Sequence, residues 1–485
     1  MLTNAASTIA SASSPPQRGA GNLLLQAPLL PTLLRMALPN LAALLVAAAV
    51  AIAETSYVGV LGTAPLAAIA LVFPVIMLMQ MLSSGAMGGG VASAISRALG
   101  AGDDARATAL AMHALAIGAG AGLCFSLLFS LFGRQLFTAL GGRGAVLEQA
   151  LAYANVALSA AVLLWLLNTL ASIVRGTGNM QIPSLTLLGV SALQIGCGGA
   201  LGLGVGPIPR LGLPGVASGL VVGSATGTGF LIWYLCSGRG RLRLRLAGVP
   251  FRREMFADIL SVGALAAFSP LQSVLTVLIL TRAIASFGTE ALAGYGIGAR
   301  LEFLLVPIAF AVGVACVPMV GMAVGAGRIV RARQVAWTGA LVSALALGVI
   351  GSLVATLPHL WSGLFSAEAN VTAAANLYLR CAGPAFPLFG LGLCLYFASQ
   401  GAGKVLGPVL ASSLRLAVVA IGTVLLTWSH APLWTLFALV GGSLVAYGAA
   451  TAVAVYVTTW GAAPRAPTAG ATGKHGRLRL GGEAP

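Results

Sequence analysis

Leu61-Gly62-Thr63-Ala64-Pro65-Leu66-Ala67 and Phe287-Gly288-Thr289-Glu290-Ala291-Leu292-Ala293 are one phrase written twice, about 225 residues apart. Working outward, Gly100-Ala101-Gly102 with Arg106-Ala107 returns as Gly325-Ala326-Gly327 with Arg331-Ala332. Gly176, Gly178 and Pro183 return as Gly401, Gly403 and Pro408. Three collinear blocks at nearly one offset mark an internal duplication, even though 64 glycines in 485 residues inflate single matches. A duplicated membrane unit is how many secondary transporters build a substrate path between two lobes that rock against each other.

Only 7% of the residues are charged, against roughly 25% in an ordinary soluble domain. The hydrophobic share is 58% and the mean hydropathy +0.98. Water cannot solvate such a surface, so most of the chain must sit in lipid, where backbone polar groups are satisfied inside helices or closed barrels. The apolar stretches are long and unbroken, which selects helices over strands of ~10 alternating residues. The expected fold is therefore an all-α membrane protein with twelve spans, near 33–60, 66–97, 107–132, 146–173, 182–206, 213–237, 257–286, 290–325, 333–357, 371–399, 405–428 and 432–460.

Six spans precede the Arg-rich linker and six follow it. An even number per half gives both halves the same orientation, so the two six-helix lobes are parallel repeats about an axis along the membrane normal. The expected division is a polar tail over 1–32, a first lobe over 33–237, a basic linker over 238–256, a second lobe over 257–460 and a disordered tail over 461–485. Putting both termini and the even-numbered loops on one side collects 20 of the 26 basic residues there, leaving Arg134, Arg143, Arg210, Arg282, Arg300 and Arg380 opposite. Short basic loops stay cytoplasmic, so both termini are expected inside the plasma (inner) membrane. The net charge of +16 then reflects topology and headgroup attraction, with membrane lipids as partners and no nucleic acid. The alternating run RLRLRL at 241–246 reads as a solvated linker lying on headgroups.

Chemistry for catalysis is missing. No dinucleotide fingerprint, HExxH or complete phosphate-binding loop is present; Gly401-Ala402-Gly403-Lys404-Val405 has Val405 where magnesium would need Ser or Thr. The four histidines lie far apart and the six cysteines have no CxxC spacing, so neither a metal site nor a disulfide frame is expected. The chain reads as neither an enzyme nor a cofactor carrier.

Among ten acidic residues Glu54 stands out, because it follows the apolar stretch from Ala37 to Ala53. At 1.5 Å per residue from Met36 it lies about 27 Å along the first helix, in the outer half of a long or tilted span. A carboxylate there should face a hydrated cavity and exchange a proton, hold sodium or meet an organic cation. The other nine, Glu302 and Asp258 among them, read as residues of loops or span ends.

Pro39, then Glu54 fifteen residues later, Gly59, Leu61-Gly62-Thr63 and Leu66-Ala67-Ala68 resemble the first-helix pattern of the MATE (multidrug and toxic compound extrusion) transporters. SRALGAGDDARA at 96–107, RGTGNMQIP at 175–183, FGTEALAGYGIGARLE at 287–302 and AVGAGRIVRAR at 323–333 resemble that family's further signatures. The resemblance covers about 33–460 and implies a V-shaped, two-lobed exporter that exchanges protons or sodium for organic cations. The family usually carries Asp where this chain has Glu54. The NorM-like branch has acids in its seventh and tenth helices, and none occurs within 260–281 or 371–399. Coupling through the first lobe, as in the DinF-like branch, fits better.

Tyr57, Gln80, Asn168 and Gln194 are the polar residues placed to share a cavity with Glu54, and Gln272 is a second-lobe candidate. For each, an interhelical hydrogen bond that holds the bundle is the bland alternative. Pro39 and Pro74 are candidate bending points. The leading expectation is a monomeric efflux transporter of small amphipathic or cationic organic molecules, driven by H+ or Na+. A lipid-linked oligosaccharide flippase is the alternative, disfavoured because the arginines cluster at predicted span ends. A receptor or scaffold without transport fits the duplication and Glu54 less well.

Overall fold

Apolar runs of this length have one open-ended way to satisfy their backbones in lipid, and among the described residues every regular element is a helix. The computed structural model describes residues 24–207, 209–244 and 250–461. Of the expected tails over 1–32 and 461–485, residues 1–23 and 462–485 lie outside the described residues, as do 245–249 of the linker, while 29–32 already belong to the first helix.

The spans are α1 (Leu29–Leu61), α2 (Thr63–Gly100), α3 (Asp104–Ala139), α4 (Gly144–Ser159 with Ala161–Gly176), α5 (Gln181–Leu203), α6 (Leu213–Cys236), α7 (Arg253–Ala285), α8 (Thr289–Gly325), α9 (Ile329–Thr356), α10 (Ala369–Ala402), α11 (Leu406–Trp428) and α12 (Leu433–Val457). Eleven cross as single units, and α4 is a pair bent by 46°. A π-helical segment over Met81–Met87 interrupts α2, and a 3-10 turn over Gly383–Ala385 interrupts α10.

The repeated phrase of the sequence marks two equivalent corners. Gly62 joins α1 to α2 with φ 122° and ψ 179°, and Gly288 joins α7 to α8 with φ 107° and ψ 170°. That backbone region is closed to side-chain-bearing residues and open to glycine, so the residue recurs because the corner recurs. Gly102 and Gly327, and Gly178 and Gly403, repeat in the same way with φ between 72° and 89°.

Three large apolar cores give the molecule its shape. One draws on both halves at the linker side, uniting Leu33, Ile95 and Ile173 with Cys316, Val320 and Tyr396. On the opposite side a core of first-half residues, including Val72, Phe137 and Trp165, is separate from a core of second-half residues, including Leu301, Tyr378 and Phe437. The halves thus join at one end and part at the other, which is a V. At the junction α2 crosses α8 through paired glycines. A Cβ on Gly100 would strike the backbone of Met322, and one on Gly325 the carbonyl of Arg97. Small residues let helices approach this closely where lipid supplies no hydrophobic drive.

The linker departs from its solvated expectation. Leu242 and Leu244 are 3% and 6% exposed, and the Leu244 N–H donates to the Leu235 carbonyl at 3.2 Å. The alternation is used, with leucines entering the shared core between arginines. Arginines of the second-copy motif hold the segments just before α1 and just after α12. Arg331 donates to the carbonyls of Leu24 and Ala27, and Arg333 to that of Thr458 at 2.8 Å.

Candidate functional site

Glu54 lies in the C-terminal half of α1, where Gln194 of α5 donates to its carboxylate at 2.7 Å. The approach depends on small residues. Around Gln194 the sequence reads Gln194-Ile195-Gly196-Cys197-Gly198-Gly199, and α6 brings Gly219 against the Gln194 carbonyl and Gly198. Tyr57, one turn beyond Glu54, packs on Gly198 and Gly199, its hydroxyl sealed from solvent and without a hydrogen-bond partner. Tyr153 of α4, 4% exposed, completes the group, and the sequence reading missed it. An aromatic on a short apolar helix carries no signal of the partner it will meet.

The remaining first-half candidates form a second, separate network. Asn168 of α4, 3% exposed, donates to Gln80 at 2.7 Å and to Ser83 at 2.8 Å. Gln80 is the last residue before the π segment, and Ser84 donates back to its carbonyl at 2.8 Å. Pro74 sits two turns earlier in α2, and Pro39 lies in the first half of α1. Among the described residues no hydrogen bond joins this network to Glu54. Asn168 and Gln80 therefore bond to each other, and neither bonds to the carboxylate.

In the second half Gln272 of α7 donates to Ser413 of α11 at 2.6 Å. A larger polar group lies elsewhere and corrects the sequence reading. Glu302 is neither in a loop nor at a span end. It is the fourteenth residue of the 37-residue α8, and it accepts a hydrogen bond from the Tyr378 hydroxyl of α10. Tyr295 meets Tyr378 edge-on at 5.5 Å. Arg415 of α11 faces the same group, its guanidinium carbon 5.8 Å from the Phe389 ring centre. Arg415 had been assigned to the linker-side loops, yet it is the tenth residue of a 23-residue span. The counting that singled out Glu54 would have found both.

At the apex of the V, charge reinforces packing. Asp258 of α7 pairs with Arg97 of α2 at 2.6 Å and with Arg106 of α3 at 2.9 Å. Ser93 donates to the Gln400 and Gly401 carbonyls, and the fully buried Gln400 side chain occupies the space left by Gly89. Among the described residues no three His, Cys, Asp or Glu side chains come together as metal ligands would.

Comparison with known proteins matches this architecture. The MatE family profile matches twice, over residues 39–197 and 266–426. The chain is 28% identical over 391 residues to the FAD transporter of Shewanella oneidensis, covering 78% of this chain and 82% of that protein. It is 24% identical to the multidrug export protein MepA of Staphylococcus aureus, covering 81% and 86% respectively. A solved MOP-superfamily transporter of Pyrococcus furiosus, described as having a binding pocket of reverse polarity, superposes with TM-score 0.82 at 21% identity over 90% of this chain and 96% of that one. An outward-facing MATE-family transporter superposes with TM-score 0.80 at 21% identity, with the same coverage. These superpositions establish the fold. With both halves matched by one profile, the chain belongs to the MatE family of membrane transporters and is not an enzyme.

Proposed function

We propose that this protein exports amphipathic organic compounds, cationic ones included, in exchange for protons, by alternating access of two lobes divided at the basic linker. The Glu54–Gln194 pair carries the reading, because a carboxylate held inside one lobe of a duplicated bundle is costly unless it exchanges a ligand. One carboxylate cannot be neutralised by a proton and paired with a cationic substrate at once. Protonation from outside therefore releases substrate outward, and deprotonation toward the cytoplasm restores the binding state. The coupling is as large as each ligand's difference in affinity for the two conformations. Sodium at Glu54 is the rival coupling ion. The names of the relatives, an FAD transporter and a multidrug exporter, support a broad organic substrate class.

We place the linker side in the cytoplasm, on the excess of basic residues there, and the monomer in the plasma membrane. The joined core then closes the inner side and the V opens outward. A flippase ranks second, since pyrophosphate lipids call for several basic groups gathered in the cavity, and Arg300, Arg380 and Arg415 lie on three different helices. Proteoliposomes loaded with ethidium test the reading. Efflux is expected under an imposed pH gradient. Efflux under a sodium gradient alone would change the coupling ion, and none under either would refute the exporter.

A further inference from the structure

Arg415 is the tenth residue of α11, which puts its guanidinium-bearing side chain about 14 Å from the start of a membrane span. A guanidinium at such depth needs an oxyanion or several carbonyls around it. Arg415 has neither. Among the described residues it makes no hydrogen bond and no ion pair within 4.0 Å, and its Nε is sealed from solvent without a partner. The residue as a whole is half-buried, so part of it stays accessible. Glu302 in the same region accepts from the Tyr378 hydroxyl and stays beyond ion-pair distance of Arg415. Phe389 lies beside Arg415, Tyr447 of α12 packs on Phe389 at 6.2 Å, and the Tyr295–Tyr378 pair behind them is buried in the second-half core. Phe389 lies against the guanidinium and helps fix its orientation.

The geometry points to an oxyanion subsite in the second lobe, in which Arg415 takes a phosphate or carboxylate of an aromatic cargo and the half-buried Phe389 ring beside it takes the cargo's ring. The guanidinium fork matches such groups in bidentate fashion, and aromatic faces suit a planar body. This deepens the proposed export function, on which it rests, by adding acidic and zwitterionic aromatics to its substrates.

The test uses the full chain in phosphatidylcholine nanodiscs and two flavins that differ by one phosphate, flavin mononucleotide and riboflavin, with flavin fluorescence as the binding signal. The mononucleotide should bind at least about tenfold tighter, the worth of one charge-assisted contact. Arg415→Gln should abolish that preference, and Arg415→Lys should keep part of it. Ethidium binding by Arg415→Gln shows that the variant is folded. Equal affinity for the two flavins in the wild type would overturn the subsite, as would a preference that survives in Arg415→Gln. Phosphatidylglycerol discs that displace the mononucleotide would assign Arg415 to lipid headgroups and overturn its role in cargo binding. Ethidium efflux is scored separately, so failure of the exporter reading and failure of the subsite are distinguishable.

Discussion

Glu54 and Gln194 are 140 residues apart along the chain, and a single hydrogen bond of 2.7 Å joins them. If Glu54 exchanges the proton, Glu54→Gln should abolish pH-driven efflux while leaving the protein folded and inserted. Glu54→Asp should retain activity, because the carboxylate survives one methylene shorter. Cationic dye affinity of the solubilised wild type should fall as pH drops and protons compete, and Glu54→Gln should be flat with pH. Wild-type efflux from Glu54→Gln would move coupling elsewhere, with Glu302 the next acid to test. Glu54 was legible because a long apolar run leads up to it. Glu302 and Arg415 were overlooked because loop-side inventories assign charges to the nearest span end.

Helix corners and crossings have their own tests. Gly62 and Gly288 adopt backbone angles that favour glycine, and a Cβ on either would meet nothing closer than 3.9 Å. Alanine at either corner should therefore destabilise through backbone strain alone, by about 1–3 kcal/mol. Gly296, inside α8 with nothing within 4 Å, is the control. Alanine there should be neutral or gain about 0.5–1 kcal/mol, and thermal denaturation in detergent reads all three. The Asp258 clamp acts between elements. Asp258→Asn should weaken the apex by about 1 kcal/mol, since both pairs are partly exposed, and shift the population several-fold toward an opened linker side. Ser93→Cys in a cysteine-free background should then label faster from that side. Unchanged labelling would leave the closure to glycine packing and Gln400.

For the whole molecule, a shared core at the linker end and separate cores at the other define the state seen, in which the halves are closed on the linker side. If the basic asymmetry sets orientation, cysteines at Ser237 and Arg239 should react with impermeant reagents only from the cytoplasm. Labelling from outside would invert the topology and make the observed state inward-facing.

The sequence by itself determined the twelve spans, the duplication and the three glycine pairs, because burying backbone in lipid and turning with positive φ are local demands that each segment must meet alone. It also exposed Glu54, whose cost depends on depth along one helix. Only the tertiary structure decided that Gln194 rather than Asn168 meets that carboxylate, that Tyr153 joins it, and that Asp258 bridges two arginines of the other half. It also decided that Leu242 and Leu244 are buried and that Glu302 meets the Tyr378 hydroxyl of another helix. Those facts depend on which helix faces are brought together, and in a nearly uniformly apolar chain helix faces carry little pattern to say so.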